Sequence, residues 1–586
     1  MSTTIEKKID SAPQVNHRAR RSVPPHRLLR LCVAVGLATG ALATQAQTVP
    51  NIGDALRQSQ PPPVPAPQAP ALPAIGGAAL EPPLLQLPGG GATVHVARYA
   101  IVGNRVIDTP TLQAAVTADR DKDLTLTQIE AVATKLTRLY RAAGYFVARA
   151  YVPQQQVDGG VVTLRVVEGN YGRFVLSNHS RVNDRTVQAL LDDIKDRDIV
   201  SLDTLERAML NINDTPGVEV TRADVMPGEK TGTSDFAVAT EPTPSTDGFV
   251  MLDNYGSRYT GKDRVSFNFD WNSPTGSGDR LNLSGLTTND TGLSSGRIGY
   301  SGLLAANGTR GEIALSQTHY ALGGIYSALN AVGSARSVEL EGTTPLKRTR
   351  ENSLEGDLGF AYRDLVDDVR TTDTRTAKTS VSVHAGLTAR VDNRLLGFDG
   401  QSVSNATIEA GYLTFHDPIA QTLDAEGADT QGRYSKIDAY TTRASLLPAD
   451  LTLTTGIHGQ LVLGNKSLDG SEKMSVSGVS GVAAFLSNEL TGDDALLGHI
   501  DLAHPLPISG AIQCSASTFT DFGMAHQDSE TGVATHRQLS DIGVGLTAAG
   551  KGALAKFQIA HAMSGGPAQS EPTPNYKILV QVGWIF

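Results

Sequence analysis

The sequence predicts a transmembrane β-barrel of about 16 antiparallel strands, preceded by two α+β modules. The first observation is a period-two alternation of apolar and polar residues, which recurs between glycine-rich turns from residue 248 onward. The second is an order of strand, helix, helix, strand and strand that occurs twice ahead of this region. Alternation places the apolar side chains on one face of each strand, as a barrel with lipid outside and a polar lumen requires.

Residues 1–46 have the pattern of a secretory signal. Lysines and arginines precede an apolar run from Leu28 to Leu42, and small residues follow it. The run is too short for a helix that stays in a membrane, and the small residues suit cleavage. We expect this segment to direct the chain out of the cytoplasm and then to be removed.

Residues 47–60 carry a short helical pattern, with Ile52, Ala55 and Leu56 on one side. We expect a helix of about nine residues, which is shorter than the apolar band of a barrel and can plug it only in part. Residues 61–92 follow, and ten of the 28 positions from 61 to 88 are proline. Such a segment forms no packed core and is typical of an extended linker.

The two modules span residues 93–170 and 171–243. In the first, apolar residues from Ile129 to Tyr140 follow helical spacing, and Gly144 ends the helix. Strands are expected at 145–151 and 161–167. The second module repeats this order, with helices over 187–194 and 202–212. Two successive copies of one order are stronger support for a fold than either copy alone.

Residues 244–586 form the predicted barrel. About 340 residues, at roughly 20 for each strand with its loop, allow about 16 strands, because a tilted spanning strand needs about 9–11 residues. The strands must close on themselves, since an open edge in hydrocarbon leaves backbone groups without partners.

The last strand of this region is the most distinctive. Six of its residues alternate along one face: Tyr576, Ile578, Val580, Val582, Trp584 and Phe586. An aromatic-rich outer face suits contact with lipid. A terminal phenylalanine on such a strand resembles the sorting signal of bacterial outer-membrane proteins. The alternative is an edge strand of a soluble domain.

Charge and motif content exclude several classes of function. Residues 1–46 carry a net charge of +5, so the rest of the chain is near −15 and unsuited to nucleic acid. Only Cys514 lies outside the signal. Asp119, Asp121 and Asp123 imitate a calcium loop, but Leu124 replaces its essential glycine. Residues 292–296 match a hydrolase motif without the helix that motif requires, so we expect a hairpin turn there. The sequence therefore nominates no catalytic residue, no metal site and no cofactor.

Three motifs carry a resemblance to a known family. They are Asn-Asp-Thr-Pro-Gly-Val at 213–218, Leu-Asp-Asn-Tyr-Gly-Ser-Arg-Tyr-Thr-Gly at 252–261 and Leu-Asp-Gly-Ser-Glu-Lys at 468–473. Together with the domain order, they resemble the transporters of two-partner secretion, the haemolysin activator and filamentous haemagglutinin transporter family. This family lies within the outer-membrane assembly-factor superfamily. The resemblance implies a plug helix, a linker, two polypeptide-transport-associated (POTRA) domains and a 16-stranded barrel.

The resemblance also implies a contact inside the barrel. Family members carry an arginine at the tip of a long loop that folds inward, and it packs against an aspartate of a Phe-x-Asp-x-Gly wall motif. Here that motif is Phe519, Asp521 and Gly523. The loop tip reads Gly481, Val482, Ala483, Ala484 and Phe485, with Ala483 at the arginine position. A lumen carboxylate without its usual cation must be hydrated, protonated or paired elsewhere.

The function implied by the resemblance is export of a large secreted protein across the outer membrane without nucleotide hydrolysis. We expect the N-terminal secretion domain of the exoprotein to bind the POTRA domains, which lie in the periplasm. Other expected partners are the lipid bilayer, the barrel assembly machinery and periplasmic chaperones. The alternatives are an insertase, whose relatives usually carry three or more POTRA domains, and a passive porin, which has no need of periplasmic modules.

Overall fold

The computed structural model describes residues 49–60, 72–76, 92–197, 199–290, 292–464, 466–508, 510–527, 535–570 and 575–586. The predicted signal and most of the predicted linker lie outside the described residues. Among the helices described, none has the length and apolar content needed to cross a membrane.

Helix α1, Ile52–Gln58, is the first described element. It has seven residues rather than the expected nine or so. The Asn51 side chain accepts hydrogen bonds from the N–H groups of Gly53 and Asp54, while the Asp54 carboxylate accepts one from the Asn51 N–H. This reciprocal cap sets the start of the helix at Ile52. The helix ends before Ser59, whose hydroxyl bonds the Leu56 carbonyl at 2.8 Å.

The first module is a three-stranded sheet covered by two helices. A buried cluster that includes Tyr99, Leu136, Tyr140 and Leu164 forms its core. The elements are β2 Thr93–Val96, β3 Arg98–Val102, α2 Thr109–Ala115, β4 Lys122–Thr125, α3 Leu126–Ala142, β5 Arg149–Tyr151 and β6 Val161–Val167. The sheet order is β3-β6-β5, with β2 and β4 forming a separate pair.

One expected strand of this module is shorter than predicted. Residues 145–148 form turns, in which the Tyr145 N–H bonds the Tyr140 carbonyl and the Ala148 N–H bonds the Tyr145 carbonyl. Gly144 adopts a positive φ of 89° at the end of α3, so the chain needs these turns before it can enter the sheet.

The second module repeats the order of the first. Its elements are β7 Asn170–Asn178, α4 Asp184–Asp192, α5 Leu202–Asn213, β8 Glu219–Pro227 and β9 Thr233–Glu241. Ahead of them in the chain, the two-residue strand β1, Ile75–Gly76, pairs in parallel with β8. The sheet order is therefore β1-β8-β9-β7, with β1 at one edge.

Sixteen strands of the described residues close into an antiparallel barrel, as predicted. They are β10 Thr246–Asp253, β11 Arg264–Asn272, β12 Arg280–Thr288, β13 Leu293–Leu303, β14 Arg310–Ala321, β15 Ala331–Arg348, β16 Asn352–Val369, β17 Thr374–Leu395, β18 Phe398–Phe415, β19 Gly432–Leu446, β20 Thr452–Val462, β23 Asp494–Leu506, β24 Gln513–Gln527, β25 Thr535–Gly550, β26 Ala553–Ser564 and β27 Tyr576–Ile585. Helix α6, Pro418–Glu426, lies between β18 and β19. The hydrolase-like motif at 292–296 opens β13 rather than forming the expected hairpin turn, and in the described residues β13 is followed by β14 with no helix between them.

Residues 463–493, here named the lumen loop, connect β20 to β23. This loop contains a small strand pair, β21 Met474–Ser475 and β22 Thr491–Gly492. The lumen loop starts at one end of the barrel, and the other end contacts the second module. At that contact Arg348 Nε lies 2.8 Å from Asp214 Oδ2.

Strand β27 closes the barrel against β10. Five register pairs join the two strands, from Phe249–Ile585 to Asp253–Gln581. Phe586 extends the contact by exchanging two backbone hydrogen bonds of 3.0 Å with Gly248. The six alternating residues of this segment are all exposed on the outer side, while Leu579 and Gln581 are buried on the inner side.

Replacing Phe586 by serine is expected to lower the amount of assembled barrel in the outer membrane. The change removes an exposed aromatic from the outer row at the closing seam, and it leaves both modules untouched. Assembly is measured by heat-modifiable migration of membrane fractions. The control is Gln581→Asn, which changes an inward-facing residue of the same strand. Assembly of Phe586→Ser at the wild-type level would show that the aromatic has no sorting role.

Candidate functional site in the barrel lumen

The base of the lumen loop is held to the barrel wall by ion pairs. Lys378 Nζ lies 2.5 Å from Asp469 Oδ2. Arg363 Nη1 lies 2.8 Å from Glu472 Oε1, and Lys436 Nζ lies 3.2 Å from Glu472 Oε2. The three cations come from β16, β17 and β19, and both carboxylates are almost fully buried. The loop therefore bridges three strands of the wall.

Burial by itself would raise the pKa of each of these two carboxyl groups. Lys378 beside Asp469 outweighs that effect, as do Arg363 and Lys436 beside Glu472, and both pKa values lie below their ordinary range. Both groups are therefore ionised at neutral pH, and the ion pairs form in full.

The loop tip packs against the wall on the opposite side. Val482, Ala483 and Phe485 are buried in a cluster with Phe519, Leu539, Ala560 and Leu579 of strands β24 to β27. The Ala484 N–H donates a 2.7 Å hydrogen bond to Asp541 Oδ2. The tip is thus fixed by its backbone and by apolar contacts.

Asp521 faces the lumen and is paired with His499 of the neighbouring strand. His499 Nδ1 lies 2.5 Å from Asp521 Oδ1. The Asp521 N–H also donates to Asp541 Oδ1 at 3.2 Å. Of the three outcomes expected for a carboxylate without its arginine, pairing elsewhere is the one found. The sequence nominated only Asp521 and Ala483 for this contact. The structure adds His499 and Asp541 as the partners of Asp521.

Gly523 of the wall motif allows the loop to approach the wall closely. A Cβ at this position would lie 2.8 Å from Val476 Cβ and from its carbonyl oxygen. Any side chain there would push the lumen loop inward, which explains why the position suits glycine. Gly481 allows a close approach within the loop itself, since a Cβ there would lie 2.6 Å from the Val476 carbonyl oxygen.

Helix α1 lies inside the lumen, against both the wall and the lumen loop. Asp367 Oδ1 of β16 accepts a 2.8 Å hydrogen bond from the Ile52 N–H. Arg264 of β11 donates to the Gln58 carbonyl at 2.7 Å. Ile52 and Ala55 are buried against inward-facing tyrosines and leucines of the wall. The helix is therefore held across the lumen between β11 and β16.

The helix and the lumen loop touch backbone to backbone. Arg57 Nη1 donates to the Gly470 carbonyl. A Cβ on Gly53 would overlap the carbonyl group of Gly470 and lie 2.7 Å from the Ser471 nitrogen. The two elements therefore pack against each other as one unit inside the lumen.

The residues that imitate a calcium loop have other partners. Asp119 Oδ2 pairs with Lys135 Nζ at 2.6 Å, and Asp123 Oδ1 lies 3.1 Å from His95 Nδ1. Asp123 belongs to β4, and the three aspartates are not among the groups of metal-ligating side chains found in the described residues.

Comparison with known proteins assigns the chain to a family. Residues 94–169 match the ShlB-type POTRA domain. Residues 232–548, more than half of the chain, match the haemolysin secretion/activation protein ShlB/FhaC/HecB. The chain is 26% identical over 440 residues to the heme/hemopexin transporter protein HuxB of Haemophilus influenzae (strain 86-028NP), covering 74% of this chain and 77% of HuxB. It is 26% identical over 171 residues to the outer membrane transporter CdiB of Escherichia coli, 29% of each protein.

Solved structures agree on the fold. CdiB from Escherichia coli superposes with a TM-score of 0.70 at 19% identity, over 91% of this chain and 95% of that chain. CdiB from Acinetobacter baumannii does so with a TM-score of 0.62 at 14% identity, over 90% and 94%. The chain therefore belongs to the haemolysin secretion/activation protein family ShlB/FhaC/HecB, and it is an outer-membrane transporter of two-partner secretion that exports a secreted partner protein through its barrel, with its POTRA domains in the periplasm.

Proposed function

We propose that the transporter captures the N-terminal secretion domain of its exoprotein at the β8 edge of the second POTRA domain, and that helix α1 and the lumen loop close the barrel until capture. The observation that carries the proposal is strand β1. Ile75 pairs with Ala223 and Gly76 with Asp224, so a two-residue piece of the linker already occupies that edge.

The edge is able to bind an extended chain because it offers both backbone and apolar contacts. Leu72 is buried in the core of the second POTRA domain, and Ile75 packs against the same core. Backbone pairing supplies affinity and such side-chain pockets supply specificity when a strand is added to a sheet edge. A longer strand from the exoprotein would make more of these contacts and displace β1.

Strand β1 is poorly suited to hold the edge permanently. It has only two residues, and these form two register pairs with β8. Few backbone pairs are lost when it leaves, so an incoming strand replaces it at small cost.

The remaining partners follow from the physical demands of the barrel. Before closure, β10 and β27 are open edges that pair with other chains unless they are covered. Periplasmic chaperones and the barrel assembly machinery are the proposed means of covering them. Export needs no bound nucleotide, since exoprotein folding outside the cell prevents its return.

A disulfide between positions 75 and 223 is expected to abolish secretion in the oxidised state and to allow it after reduction. Register partners in neighbouring strands lie about 4.8 Å apart, within the range for a disulfide. The variant Ile75→Cys/Ala223→Cys is built with Cys514→Ser, which removes the free thiol described in this chain. Release of the exoprotein is measured with and without reductant.

The matched control is Ala223→Cys with Val238→Cys. These positions are register partners on β8 and β9, so the bond leaves β1 free. It should leave secretion unchanged in both redox states. Full secretion by the oxidised 75–223 variant would refute capture at this edge.

A further inference from the structure

Three side chains on the long wall strands converge inside the lumen, away from helix α1 and the lumen loop. They are Glu341 of β15, Asp357 of β16 and His384 of β17. One oxygen from each carboxylate and one ring nitrogen all lie within 4.8 Å of one another. His384 Nε2 is 3.1 Å from Glu341 Oε2 and 3.9 Å from Asp357 Oδ2.

All three face inward. Their sequence neighbours Leu340, Leu358 and Val383 are exposed on the outer side of the barrel, and successive side chains in a strand point to opposite faces. The three side chains themselves are only partly exposed, between 15% and 34%. They are open to the lumen without being fully in bulk water, so a small ion can reach them.

Two glycines provide the space in which the side chains meet. Glu341 and His384 lie on strands that are not neighbours, and Gly359 is the register partner of both. A Cβ on Gly359 would overlap Glu341 Oε2 and lie 2.5 Å from His384 Nε2. A Cβ on Gly386, the register partner of Asp357, would lie 2.5 Å from its carboxylate. A side chain at either glycine would separate the three groups.

The charges in this cluster do not balance within the protein. Among the described residues, neither Glu341 nor Asp357 forms an ion pair with lysine or arginine, and His384 is the partner of both. Glu312, the register partner of Glu341, adds a further carboxylate and pairs with Arg297. Two carboxylates that share one imidazole are better neutralised by a divalent cation than by a single proton.

We propose that Glu341, Asp357 and His384 form a binding site for a divalent transition-metal ion of the zinc type in the barrel lumen. Imidazole nitrogen with carboxylate oxygen suits zinc and its neighbours in the first transition row, whereas calcium and magnesium prefer oxygen alone. Ligands about 2.0–2.2 Å from a tetrahedral ion lie about 3.3 Å from each other. The observed separations reach that value through small side-chain rotations.

Three protein ligands leave at least one coordination position for water. The site is therefore an open one, and the ion would link β15 to β17 across β16. Sequence spacing could not reveal it, because the ligands come from three strands and meet only through the hairpin register.

The test is zinc binding by the purified full-length transporter, with ZnCl2 as the probe. Equilibrium dialysis with elemental analysis should show one zinc ion per chain at micromolar concentration. His384→Ala and Asp357→Asn should each weaken binding by at least about tenfold, because even an indirect partner of a metal ligand contributes 10–100-fold. Heat-modifiable migration shows whether each variant is folded. If His384→Ala does not fold, Glu341→Gln, which preserves the shape of the side chain, replaces it in the binding measurement.

The control is His458→Ala. His458 also lies in the lumen wall and pairs with one carboxylate, Asp438, at 2.9 Å, without belonging to the cluster. Its removal should leave zinc binding unchanged. Zinc should also alter the single-channel current of the wild type and not that of Asp357→Asn. The proposal is overturned if the wild type binds no more zinc than Glu341→Gln/Asp357→Asn, or if His458→Ala reduces binding as much as His384→Ala.

Discussion

Replacing Gly53 by valine is expected to raise the single-channel conductance of the transporter. Gly53 lies on helix α1 where it meets the backbone of Gly470 and Ser471, and a side chain there overlaps atoms that cannot rotate away. The helix must then leave its seat between the wall and the lumen loop. The lumen widens by the cross-section of a helix, about 10 Å across with its side chains. Conductance is measured in planar bilayers.

Two comparisons make this result specific. Leu56→Val changes a half-buried residue of the same helix without creating a backbone clash, and it should leave conductance near the wild-type value. Deletion of residues 49–60 should match Gly53→Val, since both empty the lumen of the helix. If the deletion raises conductance and Gly53→Val does not, the contact with Gly470 does not hold the helix in place.

Replacing Glu472 by alanine is expected to lower the unfolding temperature of the barrel. Glu472 is the buried partner of both Arg363 and Lys436. Removing one member of a buried pair leaves a charge without compensation, which costs about 3–5 kcal/mol. Lys436 retains Glu409 at 3.4 Å, so the larger part of the loss comes from Arg363. Unfolding is followed by heat-modifiable migration, with the exposed Glu426→Ala as the control.

The same carboxylates give the loop a defined acid sensitivity. Because the pKa values of Asp469 and Glu472 are depressed in the folded protein, their contribution to stability is complete above the ordinary carboxyl pKa of about 4. It is lost as the pH falls through the lower folded values. Glu472→Gln cannot ionise, so its unfolding temperature should fall less steeply with acid than that of the wild type. Equal slopes would show that Glu472 is not ionised in the folded protein.

The periodic parts of this chain were predictable from sequence. Sixteen strands follow from alternation and length, and the two modules follow from apolar spacing such as that of Leu136 and Tyr140, which the structure buries. Local signals were less accurate where a cap or a turn decides the boundary. Asn51 shortens helix α1, and Gly144 delays the strand that follows α3.

The lumen was predictable only in part, since its contacts depend on strand register. Asp521 was expected to face inward, yet its partner His499 is 22 positions away and becomes a neighbour only through the pairing of β23 with β24. Asp541 reaches the loop tip in the same way. The alanine at position 483 does not reveal that His499 and Asp541 take the place of the arginine contact. The tip binds the wall through the N–H of Ala484, and every residue type except proline possesses such a group.

The closing pair of the barrel has a consequence for the order of folding. Met251 and Gly583 are register partners across the seam, yet almost the whole of the barrel lies between them in the chain. Hairpins such as β16–β17 bring together residues close in sequence, and their formation is fast. The seam must wait until every other strand is in place, because it is the most distant contact in the sheet and joins only five register pairs. We therefore expect closure to be the slow step of assembly, and a chain halted just before it would have complete walls and two unpaired edges.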